Sequence, residues 1–149
     1  MAHIPEQLRR QVAERAGHRC EYCQSNELFT GGPFHVEHVM PAARGGTTEL
    51  DNLAYACARC NLQKGLRIYT VDPVSRRSAP IFNPRQHRWS LHFHWSDDGT
   101  RVIGRTRTGR GTIVALKMNH PLIVQARSLW VSCGIHPPDS TPKPRNPKT

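Results

Sequence analysis

Apolar positions recur with helical spacing near the N-terminus, where Leu8, Val12 and Ala16 fall on one face of a predicted helix over residues 5–16. Pro5 suits its first turn, Glu6 stands four residues before Arg10, and Gly17 supplies the stop. The period then changes. Residues 34–39 and 52–56 carry short apolar or alternating patterns that predict two strands, joined by a loop containing Gly45-Gly46-Thr47-Thr48. A short helix is predicted from Asn61 to about Gly65. Farther along, residues 91–95, 101–106 and 112–116 read as three strands, with Asp97-Asp98-Gly99 and Gly109-Arg110-Gly111 as the turns between them. A closing helix over 120–133 sets Leu122, Ala126, Leu129, Trp130 and Cys133 on one stripe, which predicts a core face with Cys133 as a buried free thiol.

Residues 71–90, with Pro73, Pro80 and Pro84, read as a loop-like stretch, and the proline-rich run after Ile135 is predicted to be disordered. The expected class is α+β. The expected organisation is a first unit over 1–70, a β-rich extension with a closing helix over 71–135 packed on the same domain, and a tail over 136–149.

Composition narrows the partner. The chain has 149 residues and 37% hydrophobic content, enough for one domain with a modest core. Its 21 Lys and Arg against 11 Asp and Glu give a formal net charge of +10, which favours a nucleic acid over a neutral metabolite. No apolar run approaches the length of a membrane span, and the N-terminus lacks a basic region followed by an apolar one, so a cytoplasmic location is expected.

Cysteine spacing adds chemistry to this picture. Cys20-Glu-Tyr-Cys23 and Cys57-Ala-Arg-Cys60 are two CxxC pairs, and in a reducing compartment they are read as metal ligands in preference to disulfides. Two such pairs complete the tetrahedral thiolate set of structural zinc and leave no open coordination position. A pair of redox CxxC motifs is the competing reading, but no βαβ pattern of thioredoxin type surrounds them. The residues between the pairs are of another kind. Phe34-His35-Val36-Glu37-His38-Val39-Met40-Pro41 offers imidazole and carboxylate groups, and Asn61 follows Cys60 directly with a carboxamide, donors suited to a harder ion and to proton transfer.

Taken together, Glu37-His38-Val39-Met40-Pro41, Gly45-Gly46, Asp51-Asn52-Leu53 and Cys57-Ala-Arg-Cys60-Asn61-Leu62-Gln63-Lys64 resemble the HNH endonuclease family. The resemblance is to the subtype with a four-cysteine zinc site around a ββα-metal, or His-Me finger, core, and it covers roughly residues 18–66. Phe82-Asn83-Pro84-Arg85, Arg88-Trp89-Ser90, His92-Phe93, Gly104-Arg105-Thr106 and the segment around Asn119 are similar to the C-terminal half of a group of small, free-standing bacterial HNH proteins, and assign no chemistry.

The resemblance implies a metal-dependent endonuclease that hydrolyses DNA phosphodiester bonds and leaves 3′-hydroxyl and 5′-phosphate ends. His38 is then the general base that activates water, since an imidazole near its ordinary pKa accepts a proton at neutral pH. Glu37 takes the metal-ligand position that more often holds Asp, and Asn61 matches the family's last metal-binding position. Asn52 matches the middle Asn of the family name, where it would hold the backbone that aims His38. The catalytic ion would be Mg²⁺ or another divalent metal such as Mn²⁺, beside a structural Zn²⁺.

His35, two residues before Glu37, is either a third ligand on the same strand face or a polar residue contacting solvent or DNA. Arg44, Arg59, Lys64 and Arg67 are the expected phosphate contacts beside the site, with DNA the first substrate class and RNA the second. The rival function is a zinc-ribbon nucleic-acid-binding protein that does not cleave.

Overall fold

The computed structural model describes residues 3–138. Six helices alternate with three two-stranded antiparallel hairpins. Helix α1 (Glu6–Arg15) starts after Pro5 and ends at Ala16, with Gly17 at φ 63° taking the left-handed turn that follows. A single helical turn, α2 (Glu27–Thr30), is capped by the Asn26 side chain. Strands β1 (His35–His38) and β2 (Leu53–Ala56) then pair with His35 opposite Ala56 and His38 opposite Leu53. Helix α3 (Ala58–Lys64) leaves β2 at once, with Cys57 as its N-cap and Gly65 as its C-cap. It begins three residues earlier than the sequence predicts, so Asn61 lies inside the helix and is not its cap.

Every residue of β2 is buried. Ala54 and Ala56 belong to one apolar cluster, which includes Cys20, Cys23 and Cys60, while Leu53 and Tyr55 belong to a second, built with Ile4, Val12, Ala13 and Ala16 of the N-terminal segment. The period-2 geometry of a strand thus gives each face of β2 its own core.

The extension departs from its predicted layout. The stretch 71–90, read as loop, takes part in a hairpin of β3 (Tyr69–Val71) and β4 (Ser78–Pro80), whose tip is held by Asp72 in a two-point ion pair with Arg110 at 2.9 Å. Residues 91–95 are split between the turn of helix α4 (Trp89–His92) and strand β5 (Phe93–Trp95), which pairs with β6 (Val102–Gly104). The expected strand over 112–116 is helix, α5 (Arg107–Ala115), capped by the Thr106 hydroxyl, which accepts from the Gly109 N–H. Its two glycines are contact points. A β-carbon on Gly109 would lie 2.0 Å from the His92 carbonyl oxygen, and one on Gly111 would lie 2.5 Å from the Thr70 methyl.

Helix α6 (Pro121–Ser132) matches the predicted closing helix, but its predicted stripe does not face the core. Leu122 and Leu129 are exposed, Cys133 is exposed, and the residue fully buried on this helix is Arg127. Three hydrogen bonds from its guanidinium to carbonyl and amide oxygens fix the rotation of α6 about its axis. His136 is also buried, against Trp95 and Trp130, although the predicted disordered run includes it. The remainder of that run, 139–149, lies outside the described residues.

Phe82, Trp89, Phe93, Val102, Leu116 and Met118 of the extension join the cluster that contains the cysteines. Trp89 Nε1 donates to the Tyr22 carbonyl at 2.8 Å, and Arg85 pairs with Glu21, so the extension grips the first CxxC turn from outside.

Candidate active site and metal centre

The two cysteine pairs are brought together by β2. Glu21, inside the first pair, donates its N–H to the Tyr55 carbonyl at 2.8 Å, and its carboxylate accepts from the Tyr55 N–H at 2.9 Å. The first pair is thereby sewn to the strand that runs into the second. The four sulfur atoms of Cys20, Cys23, Cys57 and Cys60 all lie within 4.8 Å of one another, and none is in a disulfide. Cys23 Sγ and Cys57 Sγ are 3.7 Å apart, close to the roughly 3.8 Å edge of a tetrahedron with Zn–S bonds of about 2.3 Å. The Cys23 N–H points to Cys20 Sγ at 3.5 Å and the Cys60 N–H to Cys57 Sγ at 3.4 Å, which orients the sulfurs and favours thiolates. Burial pushes the Cys20 thiol up, while hydrogen bonds with Cys20, Cys57 and Cys60 pull Cys23 down, and a cation among the four is what would hold all of them deprotonated. The donor set is compatible with zinc.

Across the β1–β2 hairpin lies a cleft of about 590 Å³, lined by His35, Glu37 and His38 of β1, by Asn61, Gly65 and Leu66, by the loop residues 41–43, and by Ile4 and Arg9. The predicted residues His35, Glu37, His38 and Asn61 therefore share one cavity. His35 is exposed and His38 half-buried. His38 Nε2 lies 2.9 Å from Thr48 Oγ1. Burial, and then the charge of Lys64, hold the imidazole below its ordinary pKa, keeping it neutral at physiological pH.

Glu37 is the buried member, at 7% exposure. One of its oxygens accepts from the Tyr22 hydroxyl and the other from Lys64 Nζ at 2.9 Å. Burial pushes its carboxyl up, while the Lys64 ammonium and then the Tyr22 hydroxyl pull it down. Each carboxylate oxygen has two lone pairs, so one on each stays open for a cation.

Lys64 does not sit where a phosphate contact would. It is 2% exposed, and its ammonium also donates to the carbonyls of His38 at 3.2 Å and Val39 at 3.0 Å. All three donors are consumed inside the protein. Arg59 lines a different cavity, beside the cysteines, and not the His38 cleft. Arg44 and Arg67 are exposed; Arg44 donates to the Leu66 carbonyl, and Arg67 to the carbonyls of Gln63 and Ala115.

Asn52 holds the loop that follows His38. Its carboxamide accepts from the Met40 N–H at 2.9 Å and donates to the Met40 and Thr47 carbonyls at 3.0 and 2.8 Å. The turn Leu50–Asn52 that presents it is anchored by Arg15 of α1, which donates to the Leu50 carbonyl at 2.7 Å. The same closure explains Gly46: a β-carbon there would lie 1.7 Å from the Met40 carbonyl oxygen.

Three residues near the site escaped the sequence reading. Arg9 is an ordinary exposed helix residue by pattern and enters the cleft only through the packing of α1. Tyr22 looks like a core aromatic, with nothing in the sequence to link it to Glu37. Thr48 sits in a loop already marked as a turn, and a hydroxyl ten residues from His38 carries no local signal of their contact.

The HNH endonuclease family model matches residues 20–67, the segment that contains the four cysteines, the β1–β2 hairpin and α3. No curated protein and no solved structure matches the chain. Among the described residues no helix is long and apolar enough to cross a membrane. Residues 20–67 of this chain match an HNH domain, a match that implies nuclease activity with a metal on a nucleic acid substrate.

Proposed function

We propose that the protein is a metal-dependent endonuclease that hydrolyses DNA phosphodiester bonds, with a structural zinc on Cys20, Cys23, Cys57 and Cys60. The observation that carries the reading is the cleft in which His35, Glu37, His38 and Asn61 meet. Neutral His38 is the general base. With Nε2–H donating to Thr48 Oγ1, Nδ1 carries the lone pair that takes a proton from water. Asn52 positions this imidazole by closing the 40–47 loop.

Glu37 and Asn61 are the residues to hold a divalent ion, Mg²⁺ or Mn²⁺, one from the strand and the other from the helix. The Asn61 carboxamide oxygen and the open lone pairs of Glu37 are hard donors of the right kind. Such an ion supplies charge neutralisation at the scissile phosphate and the leaving oxygen. His35, exposed on the strand face of Glu37, is assigned to the substrate side of the cleft. Arg9 on its rim, with Arg44, which donates to the Leu66 carbonyl, and Arg67, which follows α3, supplies phosphate contacts and sets the substrate by charge, not by base reading.

A supercoiled-plasmid nicking assay in Mg²⁺ or Mn²⁺ tests the reading. His38→Ala, checked to retain its zinc, is expected to cleave about 100- to 10,000-fold more slowly than the parent. Tight duplex binding without cleavage in any divalent metal would overturn the enzyme assignment and leave a zinc-ribbon binding protein.

A further inference from the structure

Arg127 is a buried cation without an acidic partner. It is 0% exposed, and none of the ion pairs among the described residues involves it. Its guanidinium donates to the carbonyls of Thr100 and Met118 and to Asn119 Oδ1, at 3.1, 2.7 and 3.1 Å, and lies 5.4 Å from the centre of the Trp95 ring. Nε is buried with no hydrogen-bond partner. Neutral oxygens and a ring face solvate a cation only in part, and a buried charge of this kind is costly unless an opposite charge lies close.

That charge lies across a cavity of about 260 Å³ whose wall includes Arg127 together with Cys23, Cys57 and Cys60. Zinc held by four thiolates keeps a surplus of roughly two negative charges, in a cluster whose sulfurs are mostly buried. Arg59, on the same wall, is half-buried, so Arg127 is the fully buried cation beside this cluster. Burial pulls the Arg127 guanidinium below its ordinary pKa, and Cys23, Cys60 and Cys57 act against that pull, while Arg59 adds to it.

We propose that Arg127 is the charge-compensating residue of the four-cysteine centre, a cation supplied by α6 from outside the HNH domain to balance a zinc tetrathiolate. The proposal rests on the zinc reading above. It makes α6 a part of the metal site, so the affinity for zinc and the docking of α6 are linked and each strengthens the other.

The test compares zinc release from the full-length parent, Arg127→Met and Arg127→Lys into an excess of a chromogenic chelator at fixed pH. Zinc content per chain is measured beforehand. Loss of the charge in Arg127→Met is expected to speed release about 10- to 100-fold, and Arg127→Lys, which keeps the charge but not the planar fork, is expected to recover part of the retention. Equal release from parent and Arg127→Met overturns the assignment. If Arg127→Met is isolated unfolded, it is refolded from denaturant across a zinc series. Recovery that needs more zinc than the parent refolded alongside it supports charge compensation, and the same zinc dependence as the parent overturns it. A parent that neither carries nor takes up zinc overturns the zinc reading itself, a result distinct from equal release by two zinc-loaded proteins.

Discussion

Lys64 holds three oxygens at once: the Glu37 carboxylate and the carbonyls of His38 and Val39. Its ammonium thereby fixes the end of β1 from which the His38 ring projects. Replacing it with Met leaves Glu37 buried with its charge unpaired, and Lys64→Met is expected to lose about 3–5 kcal/mol of stability, read from urea unfolding. A loss below about 1 kcal/mol, the size of an exposed pair, would contradict the burial on which this rests. The same ammonium, after burial, depresses the pKa of His38 below its ordinary value of about 6.5. A base works only when unprotonated, so activity persists as pH falls through 6.5 and declines below it. The acid limb of kcat/KM against pH is expected under 6.5, and a limb above that value would show that the imidazole is not held neutral in this way. At this scale the sequence was legible where residue type and spacing carry the chemistry, as at the four cysteines. It misled at Lys64, because a lysine reads as a surface charge and only the packing of α3 on β1 turns it inward.

At the scale of elements, α5 shows how one sequence signal serves two structures. Gly109-Arg110-Gly111 reads as a turn, yet both glycines lie in a helix because backbone and methyl groups crowd their α-carbons. Helix propensity alone would make Gly109→Ala stabilising by up to about 1 kcal/mol. The 2.0 Å approach to the His92 carbonyl reverses the sign, and the substitution is expected to cost about 1–3 kcal/mol, measured as a drop in denaturation midpoint. Gain of stability would mean that α4 and α5 can separate freely. The short hairpin β1–β2 was readable from its short apolar or alternating runs, and α1 from the four-residue recurrence of Leu8, Val12 and Ala16. Helix α6 was readable as a helix but not in its rotation: apolar side chains outvoted Arg127 on paper, while in the structure its hydrogen bonds decide which face turns inward.

In the whole molecule, the cysteines share one apolar cluster with Phe82, Trp89, Phe93, Val102, Leu116 and Met118, so the extension and the HNH domain rest on a common core. Removal of zinc by a chelator is therefore expected to unfold both together. Tryptophan fluorescence, which reports Trp89, Trp95 and Trp130 of the extension, should change in one transition with the far-UV circular dichroism, and Cys57→Ser should behave like the stripped protein. Two separated transitions would divide the molecule into independent units. Nothing in the sequence announced this sharing, since the apolar residues of the extension recur without long-range marks of their partners.

Strand β2 stands between the two cores, with Ala54 and Ala56 turned to one and Leu53 and Tyr55 to the other. The cleft walls divide in the same way: Ile4 and Arg9 stand on the N-terminal side, and Asn61, Gly65 and Leu66 follow the cysteine side. The two walls of the cleft are thus mounted on separate apolar clusters that are joined by β2 and by Phe34, which packs against both, so a core substitution on one side of β2 is expected to reach the opposite wall chiefly through these residues.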